Sequence, residues 1–321
     1  MSRDEAGRAP GSRAPRPHLE FATPRKLPKA RDLRGRVAVL DLAFASESSG
    51  GGFEKLTRPL IDGLGARLAA WVDHHDHVLH AKYKEDPRFV LATKAEHGAC
   101  PEMITPEIVE RAGQVDTIVC HNDFDGLCSA AKWIRGGVEP YPGADDDARA
   151  IDTRIGTPSG SAVRIDRALR GRPRDAALYG MIVRHLSDGL VDASLWKTID
   201  EAAGALAGVE AETRQIAEKY RVFSSQSETI ANVAFIDATE FHGKYDKTQL
   251  LLAGQERAKV ALLLDRDTLS VAAKFDSKLN FLILLGISGG MPTVVSLPAS
   301  RMAEVLEKLA IAPADRSLLL P

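Results

Sequence analysis

Three cysteines in 321 residues, Cys100, Cys120 and Cys128, are too few and too unevenly spaced for a disulfide framework, and they form no paired zinc-ligand motif. They read as reduced thiols in a cytoplasmic protein, with Cys120 and Cys128 as small buried hydrophobes. Aromatic residues are scarce, at 6%, which weighs against a long single strand held on base-stacking platforms. Neither sign of charge predominates. The 42 Lys and Arg face 44 Asp and Glu, so the simplest case for a protein that coats nucleic acid is gone. No apolar run approaches the ~20 residues that span a bilayer, and no membrane association is expected. Internal repeats are missing as well. What is present is a globular composition, 44% hydrophobic and 27% charged, over a length that suits two domains.

Residues 1–31 carry eight Lys or Arg, three acids and five prolines with hardly any apolar periodicity. The expectation is a disordered basic tail over 1–35, with no apolar core of a signal peptide. Folded structure should begin at Arg36. Val37-Ala38-Val39-Leu40 reads as a buried strand ending on Asp41, and Ala69-Ala70-Trp71-Val72 as another running into Asp73-His74-His75-Asp76-His77. Between them, residues 53–68 have helical spacing. Asp116-Thr117-Ile118-Val119-Cys120 is a third strand, opening into His121-Asn122-Asp123-Phe124-Asp125-Gly126 and a small-residue helix over 127–134. Alternating strands and helices predict an α/β domain over 36–225, built on a parallel, doubly wound sheet. The strand-like runs from Asn232 onward and a final helix over 300–309 predict a smaller α/β domain over 226–321.

In such sheets ligands collect at the carboxyl ends of the strands, where all three acid and histidine clusters fall. Carboxylates (Asp41, Asp73, Asp123, Asp125) mixed with imidazoles (His74, His75, His121) suit Mn²⁺ or a similar divalent ion. Two such ions about 3.5–4 Å apart clamp a phosphoryl group and activate water. Taken singly, each cluster also reads as an ordinary turn or helix cap. Their conjunction is harder to explain that way, because burying so many carboxylates without counter-ions is costly.

The Asp73-His74-His75 triplet, with His121-Asn122-Asp123-Phe124-Asp125-Gly126-Leu127-Cys128-Ser129-Ala130, resembles the DHH phosphoesterase superfamily, especially its nuclease-type branch. That group includes RecJ-type exonucleases, oligoribonucleases and cyclic-dinucleotide phosphodiesterases. Val39-Leu40-Asp41 resembles the family's lone bridging aspartate, and residues 179–189 resemble its last motif, ending in Asp188. The motif order differs from the family's and looks like a circular permutation. The resemblance implies a phosphoesterase with two Mn²⁺ ions, for which Mg²⁺ or Co²⁺ would serve as substitutes. Asp41 would bridge them, His121 and Asp123 would hold one, and Asp125, His74 and Asp188 the other. His75 would face the substrate phosphate, and Asp73 would orient a histidine. Gly289 and Gly290 resemble the accessory domain's phosphate-binding glycines, but Met291 stands where the family has a histidine, leaving Lys274 and Lys278 as partial substitutes. The implied substrate is a nucleotide or short nucleic acid: a short oligonucleotide, a cyclic dinucleotide or a nucleotide phosphate. The sequence names no stable protein partner and leaves room for a homodimer. Two other readings stay open: a haloacid-dehalogenase-like phosphatase with Asp123 as nucleophile, and a non-catalytic nucleotide-binding module.

Overall fold

A computed structural model of the chain describes residues 16–319. Its first sheet contains β1 (His18–Ala22), β2 (Val37–Leu40), β3 (Leu68–Asp73), β5 (Phe89–Leu91) and β6 (Thr117–His121) in the order β1-β6-β2-β3-β5. A two-residue strand, β4 (Asp76–His77), lies outside it. Every pairing in the sheet is parallel. The side-chain period of two sends Val37 and Val39 into one core, with Leu60, Ile61 and Trp71. Ala38 and Leu40 enter the other, with Ile118, Leu127, Ile165 and Ile182. Both faces are therefore covered, as the near-continuous apolar runs of β2 and β3 require. Full burial of each large aliphatic side chain stabilises by roughly 1.5–3 kcal/mol. Trp71 is fully buried and its indole N–H donates to the Leu42 carbonyl at 2.9 Å, so burial leaves no polar group unpaired.

The expectation of a tail over 1–35 fails for its second half; residues 1–15 lie outside those described. β1 adds to the edge of the sheet, with Leu19 opposite Ile118 and Phe21 opposite Cys120. Residues Ala30–Asp32 form a short 3-10 turn that the Arg67 guanidinium pins by donating to the carbonyls of Ala30 and Leu33. The strand sequence is His-Leu-Glu-Phe-Ala, only alternately apolar and preceded by Pro17. That is how an edge strand reads, and in a proline-rich stretch it gives little signal.

The second sheet contains β7 (Arg221–Ser224), β8 (Asn232–Asp237), β9 (Val260–Asp265), β10 (Thr268–Ala273) and β12 (Val294–Pro298), in the order β12-β10-β9-β8-β7. Only β8 and β9 pair in parallel. Separate apolar clusters cover its two faces. The two sheets are tied by a small ribbon in which β11 (Gly289–Gly290) runs antiparallel to β4. Beside it the Glu47 carboxylate accepts from the Ser288 amide and hydroxyl at 3.0 and 2.8 Å. A Cβ on Gly289 would lie 2.2 Å from the His77 ring and 2.7 Å from the Asp76 carbonyl oxygen. We expect Gly289→Ala to destabilise the chain by about 1–3 kcal/mol, since the backbone opposite cannot give way cheaply. A melting temperature equal to wild type would contradict this close approach.

Candidate metal centre

β6, β2 and β3 are neighbours in the sheet and end at one edge, so chain order is immaterial to what they assemble there. Asp41 follows β2 with φ of 56°, in the left-handed region that Asp tolerates better than most residues. Its amide still donates to the Val72 carbonyl at 2.9 Å, so the chain turns out of the sheet while the carboxylate stays buried. Asp73 ends β3, and His74 and His75 follow it. His121 ends β6. Asp123 caps the helix Phe124–Ile134 by accepting from the Gly126 amide at 3.0 Å, and Asp125 lies in its first turn. A Cβ on Gly126 would fall 2.4 Å from the His121 carbonyl oxygen. Only glycine lets the helix start dock on the strand end.

Ligand atoms converge in four overlapping groups: Asp41 with His74 and His75, Asp41 with His121 and Asp123, Asp41 with Cys100 and Asp125, and His74 with Asp125 and Asp152. Asp41 belongs to three of the four. His121 Nδ1 lies 2.7 Å from Asp123 Oδ2 and 3.7 Å from Asp41 Oδ2. His74 Nε2 lies 3.3 Å from both Asp41 Oδ1 and Asp125 Oδ2. The His74 Nδ1 atom faces the His97 carbonyl at 3.0 Å. A carbonyl can only accept, so Nδ1 donates to it and Nε2 is left as the ring's acceptor, facing carboxylate oxygens and the Lys94 ammonium. Asp41 Oδ1 is buried without any hydrogen-bond partner, which costs about 1–3 kcal/mol unless something else meets it. Hard oxygens and an imidazole around an orphaned carboxylate oxygen fit a divalent cation.

The electrostatics agree with a site short of positive charge. Burial, then the Asp123 carboxylate, pushes the Asp41 pKa well above the ordinary range. Burial and Asp41 do the same to Asp125. Burial also opposes protonation of His121, but Asp123 and Asp41 outweigh it and hold the imidazole pKa up at about 9. Burial likewise works against ionisation of Asp123, and the His121 cation overcomes it to hold that carboxyl low. His75 behaves oppositely: burial and the Lys94 cation press its pKa down to about 4. It is neutral near pH 7, directs Nδ1–H to Asp73 Oδ1 at 2.8 Å, and keeps Nε2 free. The Cys100 amide donates to both oxygens of Asp125, at 3.0 and 3.2 Å. Burial, then Asp41, raises the pKa of its thiol, which donates to the Val72 carbonyl. Cys100 therefore supports Asp125 through its backbone amide, while its thiol stays neutral.

One expected ligand is not brought to this cluster. Asp188 follows the helix Ala176–Ser187 and pairs with Arg16 at 2.5 Å, at the edge beside β1. The place assigned to it by the sequence is filled by Asp152, in the last turn of the helix Ala144–Thr153. That helix carries Asp145, Asp146 and Asp147 in its first turn. Asp147 is buried, accepting from the Ser159 amide and hydroxyl at 2.6 Å each. Lys94, which no sequence pattern singled out, is buried with its ammonium 2.8 Å from His74 Nε2 and paired with Asp152. A basic residue beyond the short strand β5 carries no signature. Only the convergence of acids onto it gives it meaning.

Asp152 also lines a cleft of about 700 Å³, together with Arg154, Lys274, Phe275 and Met291 among others. Lys274 is exposed there. Gly289 and Gly290 are instead engaged with the backbone of Asp76 and His77, so their role is to seat the second sheet beside the histidine loop. His77 packs against Phe44 and accepts from the Leu79 amide at 3.1 Å, outside the ligand groups. Cys120 and Cys128 are fully buried among apolar side chains. Among the described residues no helix is long and apolar enough to cross a membrane.

No protein-family model matches the sequence, and no curated protein matches it. Among solved structures, it is similar to a pGpG-specific phosphodiesterase, PggH from Vibrio cholerae, at 11% identity and a TM-score of 0.40. The alignment covers 89% of this chain and 99% of that one.

Proposed function

We propose that this chain is a divalent-metal-dependent phosphoesterase acting on nucleotide-type phosphoesters, a permuted relative of the DHH phosphoesterases that its motifs resemble. One observation carries the reading: a buried, unpartnered Asp41 oxygen at the meeting point of histidines and carboxylates from three adjacent strand ends. A pure binding module has no use for such a set, whose metal-free state is electrostatically unfavourable.

In this reading Asp41, His121 and Asp123 hold a Mn²⁺-type ion. When bound, such an ion supplies Lewis acidity to a phosphoryl oxygen and makes nearby water more acidic. The chain's own groups do the rest. Asp73 fixes the tautomer of His75, so that Nε2 faces outward to accept a hydrogen bond or a proton at the reacting phosphate. Lys274 and Arg154 offer cations to further phosphates in a cleft whose volume suits a dinucleotide better than a long strand. The attack is by water, with no covalent intermediate. Asp123 is poorly placed as a nucleophile, since one of its oxygens caps the helix and the other is held by His121. That weighs against the haloacid-dehalogenase alternative.

The test is hydrolysis with added Mn²⁺ on dinucleotides, cyclic dinucleotides, single-stranded DNA, phosphoadenosine phosphate and pyrophosphate. Turnover is expected on short nucleotide diesters or nucleotide phosphates, and Asp125→Ala and His74→Ala are each expected to abolish it. A folded, Mn²⁺-loaded protein inert on all five would favour the nucleotide-binding alternative. For His75→Asn, kcat should fall by about 10²–10⁴-fold while Mn²⁺ affinity stays near wild type. Equal loss of both would contradict its placement toward substrate.

A further inference from the structure

The ligand groups form two halves around Asp41, and they differ in one respect. The half made by Asp41, His121 and Asp123 consists of groups that can all act as ligands, with no lysine or arginine among the described residues hydrogen-bonded to them. The half made by His74, Asp125 and Asp152 already contains a cation, the ammonium of Lys94, hydrogen-bonded to His74 Nε2 at 2.8 Å and paired with Asp152. We infer that Lys94 permanently fills the second cation position, so that the chain binds one divalent ion where its motifs lead one to expect two. The inference rests on the metal-dependent reading above and adds the number of ions to it.

The argument is one of donor count. His74 Nδ1 is committed to the His97 carbonyl, so its imidazole has a single lone pair to give, at Nε2. An ammonium that donates there leaves no nitrogen ligand for a metal. Asp152 has its carboxylate on the same ammonium, and Asp125 already accepts the Cys100 amide on both oxygens. A divalent ion at bonding distance from Nε2 would also sit against a like charge in a water-poor interior, where repulsion is weakly screened.

Lys94 is not a surface lysine that has wandered inward. Only 3% of it is exposed. Its own amide donates to Asp76 Oδ2 at 3.2 Å, and the preceding Thr93 amide and hydroxyl donate to Glu96 at 2.8 and 2.9 Å. The backbone is therefore anchored where the side chain departs. The stem is fixed inward by the fold, and the charge it delivers is of the sign the carboxylates need. A fixed monovalent cation beside one exchangeable divalent ion would still present two positive groups to a phosphate.

Equilibrium dialysis of the full-length protein against excess Mn²⁺, with elemental analysis of metal per chain and electron paramagnetic resonance, decides the matter without any activity assay. The wild type is expected to hold one Mn²⁺ per chain with the hyperfine pattern of an isolated ion. Lys94→Met, similar in length but uncharged, is expected to hold two and to give the broadened spectrum of an exchange-coupled pair. Two ions in the wild type would overturn the inference and leave the metal-dependent reading standing. No bound ion in the wild type would overturn that reading and this inference with it. A Lys94→Met protein that folds and still holds one ion would also overturn it. If the variant does not fold, the wild-type ratio alone decides.

Discussion

Asp41→Asn is expected to lower turnover by about 10³-fold or more and to remove tight Mn²⁺ binding, while leaving the metal-free protein folded. Asp41 contributes to three of the four ligand groups, so no other single side chain touches as much of the centre. Asparagine is the informative replacement because it tolerates the left-handed backbone at this position. Only the charge is lost, and the turn out of β2 survives. The stability change should go the other way. Burial and the neighbouring Asp123 raise the Asp41 pKa, so without metal its ionised form disfavours the fold. The sign follows from linkage: the folded state binds the proton more tightly than the unfolded chain. The penalty is absent below the ordinary aspartate pKa of about 3.9 and grows as pH rises toward the raised folded value. Metal-free Asp41→Asn should therefore melt above metal-free wild type near neutral pH, and the two should converge in acid. Wild-type turnover in this variant would remove Asp41 from the centre.

The second large effect is the pH dependence of metal binding. In the metal-free chain a proton lies between His121 Nδ1 and Asp123 Oδ2, and the histidine pKa is held at about 9. A metal can take that nitrogen only after the proton leaves. The apparent dissociation constant for Mn²⁺ should fall by about tenfold per pH unit as pH rises from neutral toward 9, then level off. The same linkage bears on metal-free stability. The histidine's folded pKa lies above its unfolded value, so its contribution is full below about pH 6.5 and is lost as pH rises through about 9. Calorimetric titrations and thermal melts across that range test both parts. With His121→Asn the slope attributed to this proton should vanish. An unchanged slope would place the titrating group elsewhere.

The sequence was legible where burial writes an unbroken pattern. β2, β3 and β6 are short apolar runs covered on both faces, and the ionisable residues that interrupt them had to lie at their ends. That is why Asp41, Asp73 to His75 and His121 to Asp125 could be located from sequence. β1 was not visible, because an edge strand needs only half its residues apolar. Asp152 and Lys94 were invisible for another reason. Asp152 is one of several acids on its helix and Lys94 lies in the turn after β5, and each gains its role from a partner far away in the chain, 58 residues apart in the case of their own pair. Asp188 failed conversely: it ends an apolar helix as expected, but that helix delivers it to Arg16.

Crystals soaked in Mn²⁺, with anomalous scattering measured at the manganese edge, bear most directly on the claim that this sheet edge is a metal centre. The account predicts a strong peak within bonding distance of Asp41, His121 and Asp123. A saturated crystal with its manganese elsewhere, or with none bound at that edge, would contradict it.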